Sequence, residues 1–147
     1  MAKQTMLERL AEEELRLYSL KEKALQSLPE QIKVLEYKYA AIRAASTDAT
    51  PISSGTNRRE DALIDNIMER EYKTTKYREA EHFISAVNNA LDALDERERL
   101  VLDRLYIHGG RHNLNRVMDE LHLEKSQVYR IKDMAIYKFT HAYYGDR

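Results

Sequence analysis

The residues of this 147-residue chain best suited to specific recognition lie between Lys125 and Asp133. There Lys125, Ser126, Gln127, Tyr129, Arg130, Lys132 and Asp133 surround the apolar Val128 and Ile131. A glutamine carboxamide can pair bidentately with adenine N6/N7, and an arginine fork with guanine O6/N7. Lys125 and Ser126 open the segment, where the free N–H groups and dipole of a helix favour a phosphate. Ser126, Gln127, Tyr129 and Arg130 are therefore candidate base-facing residues. Lys125, Lys132, Lys138 and Arg116 are candidate phosphate contacts, which position a protein on DNA rather than specify sequence. The competing reading is an ordinary charged solvent face on a three-helix cap.

Other chemistry finds little support. His108 and His112 are separated by Gly109–Gly110, so they would not share a helix face as paired zinc ligands do, and no metal is expected. No carboxylate pair is marked by an apolar pocket of the kind that raises a pKa for acid–base work. Gly109–Gly110 has no Lys-Ser/Thr behind it, so no phosphate-cradling loop is present. Neither enzyme activity nor a cofactor is expected.

The candidate residues need elements to hold them, and Asp95–Phe139 supplies three short amphipathic segments. Asp95 with Glu98 three residues on forms an Asp variant of the capping box. Leu100, Val101, Leu102, Leu105 and Tyr106 follow as a broad apolar face, and Gly109–Gly110 should end that helix. Asn113 is placed to cap a second helix carrying Leu114, Val117, Met118 and Leu121. His122, Leu123 and Glu124 read as a three-residue turn. A third helix, from about Lys125 to Ala142, should bury Val128, Ile131, Ala135 and Phe139. Helix, tight turn, helix is the helix-turn-helix layout, in which the second helix meets base edges.

Upstream the pattern is that of long helices. Leu28, Ile32, Leu35, Tyr39 and Ile42 fall at a/d heptad spacing, and Leu7, Leu10, Leu17, Leu20 and Ala24 form an earlier stripe in another phase. Ser27-Leu28-Pro29-Glu30 reads as a capping box around a proline, which points to two helices or one sharply kinked helix. Residues 46–59 read as a linker, with Arg58–Arg59 a solvated flank. From about Glu60, Leu63, Ile64, Ile67 and Met68 form one patch, and Tyr77, Ala80, Ile84, Val87, Leu91 and Leu94 a second. Glu71, Lys73, Thr74 and Lys76 interrupt them. Tyr18, Tyr37, Tyr39, Tyr72 and Tyr77 are expected as half-buried seam residues. The organisation expected is all-α, with a coiled-coil-like helical hairpin over 1–94, for oligomerisation or partner docking, and a compact helix-turn-helix domain over 95–147.

Four glycines, two prolines and 33% charged residues agree with long helices. The absence of cysteine excludes a disulfide framework. No apolar run approaches the roughly 18 residues of a membrane span, and MAKQTMLERLAEEE lacks an apolar signal core, so a cytoplasmic, nucleoid-associated protein is expected. Residues 1–94 hold 14 Lys/Arg against 16 Asp/Glu, and 95–147 hold 10 against 9. From Lys125 onward there are five basic and two acidic residues. So modest an excess gives one copy few phosphate contacts, and a homodimer is expected.

With those residues in view, the segments LDERERLVLDRLYIHGG, RVMDELHL and QVYRIKDMAIYKF resemble region 4 of bacterial sigma factors. The chain as a whole resembles small phage and prophage transcriptional regulators of the ArpU/RinA type. His122 stands where that family has its turn glycine, and Glu124 where it has a Ser/Thr cap. The resemblance implies binding of double-stranded promoter DNA, with host RNA polymerase as a candidate partner. It places Ser126, Gln127, Tyr129 and Arg130 at bases and Lys125 and Lys132 at the backbone. A DNA-packaging adaptor resembling a small terminase subunit, and a helical protein-interaction module without DNA binding, are the alternatives.

Overall fold

Thr5 opens the first helix with a reciprocal cap. Its Oγ1 accepts the Glu8 N–H at 3.2 Å, and the Glu8 carboxylate accepts the Thr5 N–H at 2.8 Å. The computed structural model describes residues 4–45 and 53–145. Five α-helices account for nearly all of them: α1 (Met6–Ala45), α2 (Ser53–Leu91), α3 (Glu96–Leu102), α4 (Asn113–Leu121) and α5 (Lys125–Tyr144). A single π-helical turn, Asp103–Ile107, continues α3. No strand occurs among the described residues, so the protein is all-α, as expected.

Two departures concern where the long helices begin and end. Pro29 lies inside one continuous α1, so no second helix starts at Ser27–Glu30. A proline within a helix costs about 3 kcal/mol through one lost hydrogen bond and a clash one turn back. Buried Leu15 before it and Leu35 after it anchor the helix on both sides. The expected linker is also shorter than 46–59, because α2 already begins at Ser53; residues 46–52 lie outside those described.

The described residues form two compact units, and the division does not fall at residue 95. One unit comprises residues 1–22 together with 82–147, the other residues 23–81. In the first, Ala11 and Leu15 of α1, Val87 and Ala90 of α2, Leu94, Leu102, Ile107, and Ala135, Ile136 and Phe139 of α5 make one core. Removing side chains the size of Leu15, Leu102 and Phe139 from water contributes about 1.5–3 kcal/mol each. Tyr18 and Tyr106 extend this core with polar ends, the Tyr18 hydroxyl donating to Asn88 Oδ1 at 2.9 Å and the Tyr106 hydroxyl to Glu12 Oε1 at 3.0 Å. Burial, with Glu12 beside it, pushes the Tyr106 phenol well above its ordinary value. The stripe expected to be buried here is not the one that is. Leu7, Leu10, Leu17 and Leu20 face outward, because Ala11, Leu15 and Tyr18 occupy the inner side of α1.

In the second unit the heptad reading of α1 holds. Leu28, Ile32, Leu35, Tyr39 and Ile42 are the sheltered positions, and their neighbours at 33, 34, 36–38, 40 and 41 are exposed. The α2 side is more polar than expected. Leu63 turns inward, but Ile64, Ile67 and Met68 are exposed, and Asn66, Arg70 and Lys73 take the inner positions. Buried Asn66 donates from Nδ2 to the Leu35 carbonyl at 2.8 Å and accepts from Arg70 Nε at 2.9 Å. The Arg70 guanidinium lies over the Tyr39 ring, and Lys73 Nζ donates to Gln31 Oε1 at 2.7 Å. The hydrogen-bonded pairs Gln31–Lys73, Leu35–Asn66 and Ala45–Arg59 run in opposite directions along the two segments, so within this unit they are antiparallel. Tyr37 and Tyr72 are exposed rather than seam residues. Arg59 donates to the Ala45 carbonyl at the end of α1.

Candidate nucleic-acid interface

The cap on α3 forms as expected. Asp95 Oδ1 accepts the Glu98 N–H at 2.8 Å, and Glu98 Oε1 accepts the Asp95 N–H at 3.2 Å. The Glu98 N–H chiefly, with the Lys138 charge and the Arg97 N–H, holds the Asp95 carboxyl below its ordinary pKa. From this start α3 seats Val101 against Val117 of α4 and Val128 of α5, with Leu105, Leu114, Met118, Leu121, Leu123 and Ile131 around them. This second cluster fixes α4 and the first turns of α5 to one another. Arg104 reinforces it at the surface, its guanidinium 3.3 Å from Glu120 of α4.

The connections differ from the expectations in two respects. Helix α4 begins at Asn113 itself, and the residue at its cap position is His112, left-handed at φ 64°. Asn113 is buried, its amide packed where a side chain on Gly109 would reach. Gly109 ends the preceding helix by close approach, since an added Cβ would stand 3.1 Å from the Leu105 carbonyl oxygen. The left-handed residues in these connections are His112 and, at the end of α4, His122 at φ 54°. His122 thus adopts the conformation for which glycine is favoured.

Helix α5 then presents its outer side. Val128 is buried, while Lys125, Ser126, Gln127, Tyr129 and Arg130 are exposed, as is Arg116 on α4. Lys125 and Lys132, one turn either side of Tyr129, bring their ammonium groups to 5.8 and 5.4 Å from its ring centroid. This gathers two positive charges around one aromatic face. Lys132 is half-buried and also lies 3.3 Å from Asp133, which offsets part of its charge.

Two of the expected residues are committed elsewhere. Gln127 Oε1 accepts the Glu124 N–H at 3.0 Å, so its carboxamide caps its own helix. The signal for this was present in Glu124-Lys125-Ser126-Gln127, the spacing that puts a glutamine three residues past a helix cap. Lys138 departs further from its expected phosphate role. Its Nζ lies 2.9 Å from Glu98 Oε1, an ion pair joining α5 to α3, and the Glu98 side chain is only 6% exposed. No short-range signal marks that pair, whose members are 40 residues apart. Among the described residues no cluster of His, Asp or Glu is arranged to hold a metal ion, and no helix is long and apolar enough to cross a membrane.

Comparison with known protein families, curated proteins and solved structures gives no match. The functional reading therefore stands on the side chains of α4 and α5.

Proposed function

We propose that this chain is a sequence-specific, non-enzymatic DNA-binding transcription regulator of the phage or prophage ArpU/RinA type. In this reading α5 enters the major groove of double-stranded promoter DNA, with Ser126, Tyr129 and Arg130 toward base edges. Lys125, Lys132 and Arg116 meet the flanking phosphates, and Gln127 reads a base by sharing its carboxamide oxygen with the Glu124 N–H or by releasing that bond. Two copies bind together, because one α5 offers few charges against a phosphate backbone. Host RNA polymerase is the partner at the promoter, and the site of action is the cytoplasmic nucleoid.

The observation that carries this reading is the Lys125–Tyr129–Lys132 grouping beside exposed Ser126 and Arg130. It lies on the opening turns of a helix anchored by Val128 after a three-residue turn. A helix in that setting has its N-terminal side chains free to enter a groove while its partner helix crosses the backbone. The test is selection of bound fragments from random and phage genomic DNA, followed by electrophoretic shift at low and moderate salt. Enrichment of one sequence family, with affinity falling steeply as salt rises, supports the reading; no complex with any fragment at low salt sinks it.

A further inference from the structure

Helix α1 carries two apolar faces, and one of them covers nothing among the described residues. Ala11, Leu15 and Tyr18 are turned into the core of the first unit. On another side of the same turns stand Met6, Leu10, Glu13, Leu17 and Leu20, spaced four, three, four and three residues apart. Met6 is 77% exposed, Leu20 63%, Leu10 43% and Leu17 41%. That spacing is the a/d repeat of a coiled coil, which a helix needs only to meet another helix. Single exposed leucines are ordinary, but four large apolar side chains in one row over four turns form a contiguous patch of the kind that marks an interface.

We infer that this row pairs with the same row of a second copy of the chain, as an antiparallel two-helix coiled coil. The one charged member of the row, with Arg16 beside it, suits a second copy and sets the direction. In a parallel pair the two Glu13 carboxylates would oppose each other inside the seam, a costly like-charge contact. In an antiparallel pair Leu10 stands against Leu20 of the other copy, and Glu13 against Leu17, with Arg16 of the other copy alongside. Arg16 and Glu13 already approach within 3.9 Å in one chain, and both side chains are mostly exposed, so the Arg16 charge, whose guanidinium also lies 5.3 Å from the Tyr106 ring centroid, stands at the edge of the row where a Glu13 of the other copy would pass. The same surface serves both copies, as an isologous interface requires. This assignment rests on the two-copy element of the proposed function but not on DNA binding.

The full chain has no cysteine, so single substitutions report cleanly. Sedimentation of the unaltered protein should show a dimer. Leu10→Glu with Leu17→Glu should weaken it about 100-fold or more while the helical circular dichroism is retained, since each charge replaces a buried leucine. Leu10→Cys and Leu20→Cys, oxidised separately, should stay uncrosslinked, whereas an equimolar mixture should form a disulfide-linked pair. A wild-type chain that stays monomeric overturns the inference, as does a dimer unaffected by the double substitution. Efficient crosslinking of either cysteine variant alone would show a parallel pair and overturn the alignment. A dimer lost on Leu10→Glu/Leu17→Glu, with no DNA bound by either protein, would support this surface and sink the DNA reading.

Discussion

Lys138→Met should destabilise the protein yet, on the proposed DNA-binding reading, leave the salt dependence of binding alone. The Glu98 carboxylate is almost fully enclosed between α3 and α5, at 6% exposure, while Lys138 is 43% exposed. Glu98 Oε1 accepts from Lys138 Nζ and from the Asp95 N–H, and Glu98 Oε2 has no hydrogen-bond partner among the described residues. Removing one member of a buried ion pair costs roughly 3–5 kcal/mol, because the other charge is stranded. Solvent at the lysine end and the surviving Asp95 N–H reduce that, and the expected loss is about 2 kcal/mol. Urea unfolding of the full chain, followed by helical circular dichroism, reads it as a lower midpoint at unchanged slope. Adding Glu98→Gln should restore most of the loss, since an amide accepts the Asp95 N–H without a charge to strand. A change below about 0.5 kcal/mol for Lys138→Met, or a double mutant less stable than the single, would refute the buried-pair account. A salt slope lower by about one would return Lys138 to the phosphate contacts.

Three further outcomes are expected. Arg130→Ala should relax discrimination at one base pair by about 1–3 kcal/mol, whereas Lys125→Ala should weaken all sequences alike and flatten the salt slope by about one; equal losses on every sequence from both would remove Arg130 from the base-reading set. His108, with Nδ1 2.7 Å from Asp103 and Nε2 3.6 Å from Glu22, has its pKa raised, chiefly by the Asp103 hydrogen bond. A raised folded pKa gives stability that is complete below the unfolded value near 6.5 and is lost as pH rises through the folded value. At this half-exposed site the gain from alkaline to mildly acidic pH is a fraction of 1 kcal/mol, and His108→Gln should abolish that component of the pH-dependent unfolding midpoint. His122→Gly should raise the melting temperature by relieving about 1 kcal/mol of left-handed strain, and His122→Val should lower it.

How far the fold could be read in advance depended on how many faces each helix uses. Over Leu28–Ile42 one face is sheltered, so a single heptad phase describes the helix and the sequence displays it. Over Met6–Leu20 two apolar rows coexist, and the row rich in leucine is the outer one. The inner row has Ala11 and Tyr18, which score weakly as core although close packing favours a small residue at one and a polar-tipped ring at the other. In α2 the failure is the reverse. Asn66 and Arg70 look like surface residues, but a carbonyl of α1 and the Tyr39 ring satisfy them inside the seam, leaving Ile64, Ile67 and Met68 outside. Pro29 was legible as a perturbation but not in its outcome, because packing on both sides outweighs a local cost.

The candidate site was legible to the extent that side-chain direction follows from helical period. Val128 is buried and Ser126, Tyr129 and Arg130 are exposed, as the spacing required. What the period does not reveal is which polar groups are already occupied. Gln127 spends its acceptor on the Glu124 N–H, and a bidentate adenine contact needs both that oxygen and the amide nitrogen. Reading adenine through Gln127 would therefore require the oxygen to accept two hydrogen bonds, or the cap to open at a cost of about 1 kcal/mol. Arg130 has no such commitment to its own helix cap, which leaves its fork open to a bidentate guanine contact in the proposed reading. On the proposed reading, discrimination should consequently concentrate at the base pair facing Arg130. The position facing Gln127 should be the more permissive of the two.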